Sequence, residues 1–485
     1  MISNSKFSNI SSEKYYNIFL YAIIILLGLI VGVFSTKSPL FALLLALLIV
    51  CFFIFIYIFF KKGILSFQRI VTPLLMVSIL FPPISLPKGI PSIRVELIII
   101  LVAWALLLLG HFAIGYPIKF HQNLAYKWFI LFGLAILLSL AYGVIVKGYS
   151  ISGRDFWEFG KLLEYFLIFA LVANLVISPN EIRHYYKFAL IIFFCSALVG
   201  FSQYLNLGNI NKIVSPYYAP TQIQGLVSQG RITGTTGNPN EFGALMVLAS
   251  SLAFSGILFF KKKTIRLFSL ICFAVFVFSI VLTLSRSAII ALIIAICFLT
   301  LFKYPLIVGI KRGIKKLSIV TPIIMVTILI IIKIAPEKFF FRISQLGNIW
   351  NATSWQARIV NWKVNYALWE LSPLFGWGPG KMTMTTIVDN EWLLLLRRYG
   401  LIGVIIFILW FANFYFGLSK ICRISSSAEV RALAVALQAT LLAYAVYMIP
   451  AAVYHSLQLM PILLIFLGLA YSQIRSKGVP DHESS

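Results

Sequence analysis

Apolar runs of about 17–21 residues recur along this chain from near residue 18 to near residue 472, and each can cross a hydrocarbon layer about 30 Å thick as one helix. No other feature limits the fold so strongly, because backbone N–H and C=O groups in lipid must be satisfied within the segment itself. The runs are solidly apolar and do not alternate over about 10 residues, which argues against an outer-membrane barrel. Charged residues make up only 11% of the sequence, where a soluble globular domain carries about 25%, so that class is excluded. The expected fold is all-α, a polytopic membrane protein with about 14 transmembrane helices. They lie near 18–35, 40–60, 70–82, 95–110, 128–146, 160–177, 188–205, 242–260, 267–283, 287–302, 317–334, 400–418, 432–449 and 456–472. The third and tenth are short. No small-residue cleavage site follows the first, which reads as a retained anchor. With no soluble domain or low-complexity linker in view, residues 1–485 read as a single integral membrane domain.

Loop charge sets the orientation. With the N-terminus in the cytoplasm, that side collects Lys61, Lys62 and Arg69, then Lys261, Lys262, Lys263 and Arg266, and then Lys303, Lys311, Arg312, Lys315 and Lys316. It holds 23 of the 40 basic residues, which makes both termini cytoplasmic and turns the largest loop outward. The outer side still carries 17 basic residues against 9 acids. An anionic substrate accounts for that excess, and headgroup anchoring by Lys and Arg is the plainer alternative. Cys51, Cys195, Cys272, Cys297 and Cys422 fall in spans or on the cytoplasmic side without metal-ligand spacing, and His455 alone of the five histidines is outer. Neither an external disulfide nor a His-based metal site is expected.

The one long polar interruption, residues 336–398, holds Trp350, Trp355, Trp362, Trp369, Trp377 and Trp392, six of the ten tryptophans, and Asp389, one of three aspartates. Thr353 and Gln356 have capping-box spacing, and 354–372 reads as a helix stopped by Pro373. Trp355, Ile359, Trp362, Tyr366 and Trp369 share one face of it. Such a helix lies flat in the membrane interface, its rings serving as anchor or as sugar platform. Arg358, Asn361 and Asn365 form a polar ridge beside the rings. Gly376-Trp377-Gly378-Pro379-Gly380 must turn back toward the bilayer. Asp389-Asn390-Glu391 then opens a helix running through Gly400-Leu401-Ile402-Gly403 into the next span, where an acid also suits the helix N-terminus as a cap.

Three further outer segments carry charge or tight turns. Residues 147–159 bring Arg154, Asp155 and Glu158 to the start of a helix on which Lys161 and Glu164 are spaced to pair. Charges at the edge of a span are functional or paired. The 206–241 loop ends Gly230-Arg231-Ile232-Thr233-Gly234-Thr235-Thr236-Gly237-Asn238-Pro239-Asn240-Glu241. Its glycines and Asn-Pro impose turns, and the amides of the helix that follows, with Arg231, form either a phosphate cradle or a plain capped turn. Arg286 occupies the tight turn Leu282-Thr283-Leu284-Ser285-Arg286-Ser287-Ala288. Its guanidinium cannot be neutralised, so it has a partner or snorkels to headgroups.

In this order and on one side of the membrane, these motifs resemble the O-antigen ligase/polymerase superfamily of bacterial envelope glycosyltransferases. The resemblance is carried by Gly230-Arg231 through the Gly237–Gly243 turn, by Leu282–Arg286, and by Asp389-Asn390 followed by Gly400-x-x-Gly403, with Arg358 and Gly376-x-Gly378-x-Gly380 before them. It covers about residues 154 to 410, and the first 150 residues match only as generic hydropathy. The resemblance implies a helical bundle of the GT-C type at the bacterial plasma membrane, with an outer active site capped by the long loop. It implies transfer of glycans from an undecaprenyl-pyrophosphate carrier to an acceptor. Family ligases have His-Asn where this chain has Asp389-Asn390, which makes it look more like the polymerases that join lipid-linked repeat units. The partners implied are lipid-linked donor and acceptor glycans, membrane lipids, and a chain-length regulator and flippase of the same pathway, with no nucleic acid.

The residues suit that chemistry on their own account. Displacing pyrophosphate from an anomeric carbon needs a base for the incoming hydroxyl and positive charge for the leaving group. Arg231, Arg286 and Arg358 are expected to hold the pyrophosphate and Asp389 to take the acceptor proton. Asn238, Asn240, Asn361, Asn365, Asn390, Arg154 and Trp362 are expected to bind substrate. No cofactor is called for, since fixed arginines can stand where other phosphate-handling enzymes use a metal, although Asp389-Asn390-Glu391 also has D-x-E metal spacing. A ligase using His455 as base is the alternative within the family. A lipid-linked oligosaccharide flippase is the alternative outside it, but that would place charges at mid-span, and here they sit at span ends and in loops.

Overall fold

The computed structural model describes residues 64–80, 94–114, 124–175, 177–214, 230–344, 353–381 and 388–475, and all regular structure among them is helical. The expected spans 18–35 and 40–60, and Cys51, lie outside these residues. The chain divides into two compact units, Met1–Phe67 with Ala105–Tyr116, and Gln68–Trp104 with Pro117–Ser485. Of the first, residues 64–67 and 105–114 are described and are helical. All that follows concerns the second.

The helices begin with α1 (Ile64–Ser78), α2 (Val95–Ile114), α3 (Leu124–Ile145), α4 (Trp157–Ala173), α5 (Pro179–Leu205) and the short α6 (Ile210–Val214). Next come α7 (Pro239–Phe259), α8 (Lys263–Thr283) and α9 (Arg286–Cys297), which continues through a π turn, Phe298–Lys303, into α10 (Tyr304–Val308). The order closes with α11 (Ile310–Ile334), α12 (Glu337–Ser344), α13 (Thr353–Glu370), α14 (Glu391–Ile424), α15 (Ala428–Tyr447) and α16 (Leu459–Arg475). Each expected span within the described residues falls on a helix. Among the described residues seven helices are long and apolar enough to cross a membrane, and two shorter apolar stretches, Val95–Leu109 and Leu459–Ile474, accompany them. The total is below 14 partly because α1 and α4 have only 15 and 17 residues.

Alongside α16, α7 and α15 are buried on nearly every face. Their sequences explain it. Apolar association gives little advantage between helices already in lipid, so close van der Waals packing on small residues takes its place. In α7 a Cβ added to Gly243 would sit 2.7 Å from Ala288 Cβ on α9, and one added to Gly256 would sit 2.7 Å from Ser269 Oγ on α8. Around this pair pack α8, α9 and α14, while α3 packs on α14 and α4 on α16.

The expected helix from Asp389 into the next span is interrupted. Gly400 has φ 63° and ψ −169° inside α14, a conformation open to glycine and strained for any other residue. The break exposes backbone groups that the 371–381 turn collects. Leu401 N donates to Pro373 O (2.9 Å) and Ile402 N to Leu374 O (3.2 Å), while Trp377 N and Gly378 N donate to Arg397 O and Arg398 O (3.0 and 2.9 Å). A Cβ on Gly400 would lie 2.2 Å from Leu374 O and one on Gly376 2.4 Å from Arg398 O. The Gly-x-Gly-x-Gly turn and Gly400 are thus two halves of one backbone contact, and it fixes α13 against α14.

Candidate active site

The first two sequence motifs meet at the start of α7. Ile232 N donates to Leu282 O (3.3 Å), which lays the 230–233 strand of loop against the end of α8. Arg231 then donates from Nε to Thr283 O (2.9 Å) and from Nη2 to Asn240 Oδ1 (2.8 Å). Leu284, at φ 54°, ends α8 and lets Arg286 open α9 two residues later. Tyr447 at the end of α15 donates to Asn240 O (2.6 Å) and lies in electrostatic range of Arg231, Arg358 and Glu241.

The third motif joins them through α13. Arg358 Nε stands 3.7 Å from Asp389 Oδ2, with about a quarter of the arginine side chain and 45% of the aspartate exposed. Arg286 and Arg358 are close enough to repel each other. Arg231, Arg286, Arg358 and Asp389, scattered over some 160 residues of sequence, therefore gather at one end of the bundle.

Beside this group lies a second, centred on Glu158 in the first turn of α4, ahead of that helix's apolar stretch. Its carboxylate is fully buried and meets Lys381 Nζ at 2.8 Å, Lys161 Nζ at 3.2 Å, Arg398 Nη1 at 3.3 Å and His455 Nε2 at 3.6 Å. Arg398 Nη1 also lies 2.7 Å from His455 Nε2. A guanidinium only donates, which makes Nε2 the acceptor and puts the imidazole proton on Nδ1, facing Glu391. The buried Glu391 carboxylate accepts in addition from Val453 N (2.9 Å) and His455 N (3.2 Å). Burial opposes the charge on Glu158, but Lys161 and Arg398 outweigh it and hold the carboxyl well below the usual carboxylate range. Burial opposes ionisation of Asp155 likewise, yet hydrogen bonds from Tyr149 Oη (2.6 Å), Lys381 N (2.9 Å), and Ser152 N and Oγ (2.8 and 2.9 Å) hold it below its ordinary value.

The remaining candidate residues have the following places. Asn238 is the N-cap of α7 and accepts from Asn240 N (2.9 Å), while its carbonyl takes Phe242 N (2.8 Å). Thr233 N and Gly234 N go to Gln203 Oε1 (3.0 and 2.8 Å). The amides of Thr233, Gly234, Asn240 and Phe242, expected to contribute to a phosphate cradle, are thus committed within the chain. Asn390, not Asp389, caps α14 by accepting from Leu393 N (3.0 Å). Asn365 is fully buried and accepts from Arg397 Nη1 (2.6 Å), with its own amide on Asn361 O (2.7 Å). Trp362 packs edge-on to Trp355, ring centres 5.2 Å apart. Arg154 is exposed in the turn before α4. The expected Lys161–Glu164 pair does not form. Lys161 turns one step back to Glu158, because Glu164 is taken by Arg94 from the start of α2.

Lys381, Arg397 and Arg398 stand among these groups and were passed over by sequence reasoning, which weighed Glu391 only as half of a D-x-E pair. The signal was present in Arg397-Arg398, two fixed cations inside an otherwise apolar run, where a charge is costly unless it is used. No group of three His, Cys, Asp or Glu is placed to hold a metal ion among the described residues. In the D-x-E segment, Asp389 faces Arg358 while Glu391 is engaged by His455 and Val453.

Cations outnumber carboxylates across the two groups, and Arg358, with Arg286 close by, faces a half-exposed carboxylate, an arrangement suited to binding an anion next to a proton acceptor. No curated protein matches the chain. Residues 271–408 match the family model described as O-antigen ligase, a segment that carries Arg286, Arg358, Asp389, Glu391 and Arg398.

Proposed function

We propose that this protein is a polysaccharide polymerase of the outer face of the bacterial plasma membrane. On this reading it joins undecaprenyl-pyrophosphate-linked repeat units without a metal and with inversion at the anomeric carbon. The observation that carries the reading is that Arg358, which faces Asp389, lies close to Arg286 and shares Tyr447 as a neighbour with Arg231. The acceptor hydroxyl attacks the anomeric carbon of the donor and gives its proton to the Asp389 carboxylate. The carbon–oxygen bond to the pyrophosphate breaks, and the electron pair leaves with the lipid pyrophosphate, whose charge the three arginines neutralise in place of a cation. The half-exposure of Asp389 leaves room for the hydroxyl. The side of the membrane rests on the loop charges.

A second reading, transfer of a finished glycan to a different acceptor, is favoured by one observation. The His455 imidazole is held by the buried carboxylate of Glu391, which is two residues of chain from Asp389, and that pairing can orient a general base. One experiment separates the two. Purified protein is given an undecaprenyl-pyrophosphate repeat unit alone, with EDTA, and the products are read by mass spectrometry. Dimers and longer chains are expected. Substrate that reacts only after a distinct acceptor is added would replace the polymerase with a ligase, and activity only after divalent metal is restored would overturn the arginine scheme.

A further inference from the structure

The contacts of Glu158 reach both ends of the segment that bears Asp389. Lys381, eight residues ahead of Asp389, is held through Nζ by Glu158 (2.8 Å) and through its amide by Asp155 (2.9 Å). Arg398, two turns along α14 from Glu391, is held by Glu158 (3.3 Å). Glu391, two residues beyond Asp389, is held through His455, whose Nδ1 binds it and whose Nε2 accepts from the same Arg398 Nη1 (2.7 Å). No solvent reaches the Glu158 carboxylate, so it is not itself a substrate ligand.

Packing alone does not call for this cluster. Replacing buried ion groups with apolar side chains of the same volume is often neutral or stabilising, and α4 packs on α16 through an ordinary apolar face. What the ions add is direction. A carboxylate shared by Lys381 and Arg398, with Arg398 in turn donating to His455, fixes three separate pieces of chain to one point.

We propose that Glu158 is a positioning residue, fixing the chain on both sides of Asp389 and thereby holding that carboxylate against Arg358. The proposal deepens the reading of Asp389 as the proton acceptor and rests on it. Loss of Glu158 would displace Asp389 without removing any group that binds donor. The cost would then fall on turnover and not on affinity.

The test uses the full chain in detergent, with E158Q, which keeps volume and removes charge, and Lys381→Met, which removes one tie. The expected result is a fall in kcat of about 10–100-fold in each, with KM for the lipid-pyrophosphate donor within about twofold. The double variant should be no worse than the poorer single one, because the same clamp is lost once. Hydrogen–deuterium exchange gives a readout independent of catalysis. Peptides within 376–400 should exchange faster in both variants while those of α7 do not change. Unaltered exchange at 376–400 overturns the proposal whatever the activity, and so does faster exchange with wild-type kcat. Wild-type protein that turns over no lipid-pyrophosphate glycan would instead sink the glycosyl-transfer reading, and exchange would still decide whether the clamp exists. If E158Q does not fold, Lys381→Met decides on the same two readouts.

Discussion

Glu158 and Asp155 behave alike electrostatically although only one is an ion-pair hub. Both are buried, which by itself would favour the neutral acid, and both are held ionised by donors built around them. Their folded-state pKa values therefore lie below those of the unfolded chain, where carboxyls titrate near about 4. The linkage has a fixed sign. The unfolded chain binds protons first as the pH falls, so the stabilisation is complete above about pH 5 and is lost as the pH falls through the folded-state values. Thermal unfolding in detergent should show a plateau from neutral pH down to about pH 5 and a decline below it. E158Q should decline less steeply than wild type because one of the two linked groups is gone. Identical acid limbs would mean that Glu158 is not ionised in the folded protein. Asn365 shows the opposite limit of inference from residue type. Its place on a polar ridge suggested a substrate ligand, yet its carbonyl is occupied by Arg397, a contact made across 32 residues that no local pattern reveals.

Helices were legible in the sequence where local physics decides them. The apolar runs within the described residues fall on helices, and α13 begins and ends within two residues of the segment read from its aromatic stripe and Pro373. What was not legible is the break at Gly400, because Gly-x-x-Gly inside an apolar run is as compatible with a straight helix as with a kink. The difference lies in Leu374 and Arg398, whose carbonyls crowd the positions where a Cβ would stand. The Lys161 pairing failed for the same reason. Spacing on α4 allowed Glu164 or Glu158 as partner, and Arg94, distant in sequence, removed one of them. The kink makes a direct prediction. Gly400→Ala forces a left-handed φ and a clash at 2.2 Å, a strain of about 1–3 kcal/mol before any displacement of the 371–381 turn. Gly160→Ala on α4, where a Cβ meets nothing within 4 Å, should be neutral or slightly stabilising, by up to about 1 kcal/mol. Unfolding temperatures of the two variants and wild type check the contrast. Equal shifts would show that the break at Gly400 is not tied to the turn.

At the scale of the whole molecule, the active end is set by how closely the central helices approach. Helix α7 carries Asn238, Asn240 and Glu241 at its start, and α9 carries Arg286 at its own. Gly243 lies within the first two turns of α7 and faces Ala288, so it fixes the distance between the Arg231–Asn240 pair and Arg286. Gly256, about 20 Å further along the same helix by its rise, makes an equally close contact with Ser269 at the opposite end. Valine at either position overpacks a tight interface, at a cost of about 1–3 kcal/mol. The two sites differ only in what the displaced backbone carries. Gly243→Val and Gly256→Val should therefore lose unfolding temperature to a similar degree. Gly243→Val alone should lose kcat beyond that, by about tenfold or more, because an error of about 1 Å in the arginine group is enough. The check is a side-by-side measurement of unfolding temperature and of repeat-unit joining at saturating donor. Equal loss of turnover in both variants would mean that the bundle transmits packing errors along its whole length and that the arginine group is not locally set. Full turnover in Gly243→Val would mean that the spacing of α7 and α9 does not matter to the chemistry.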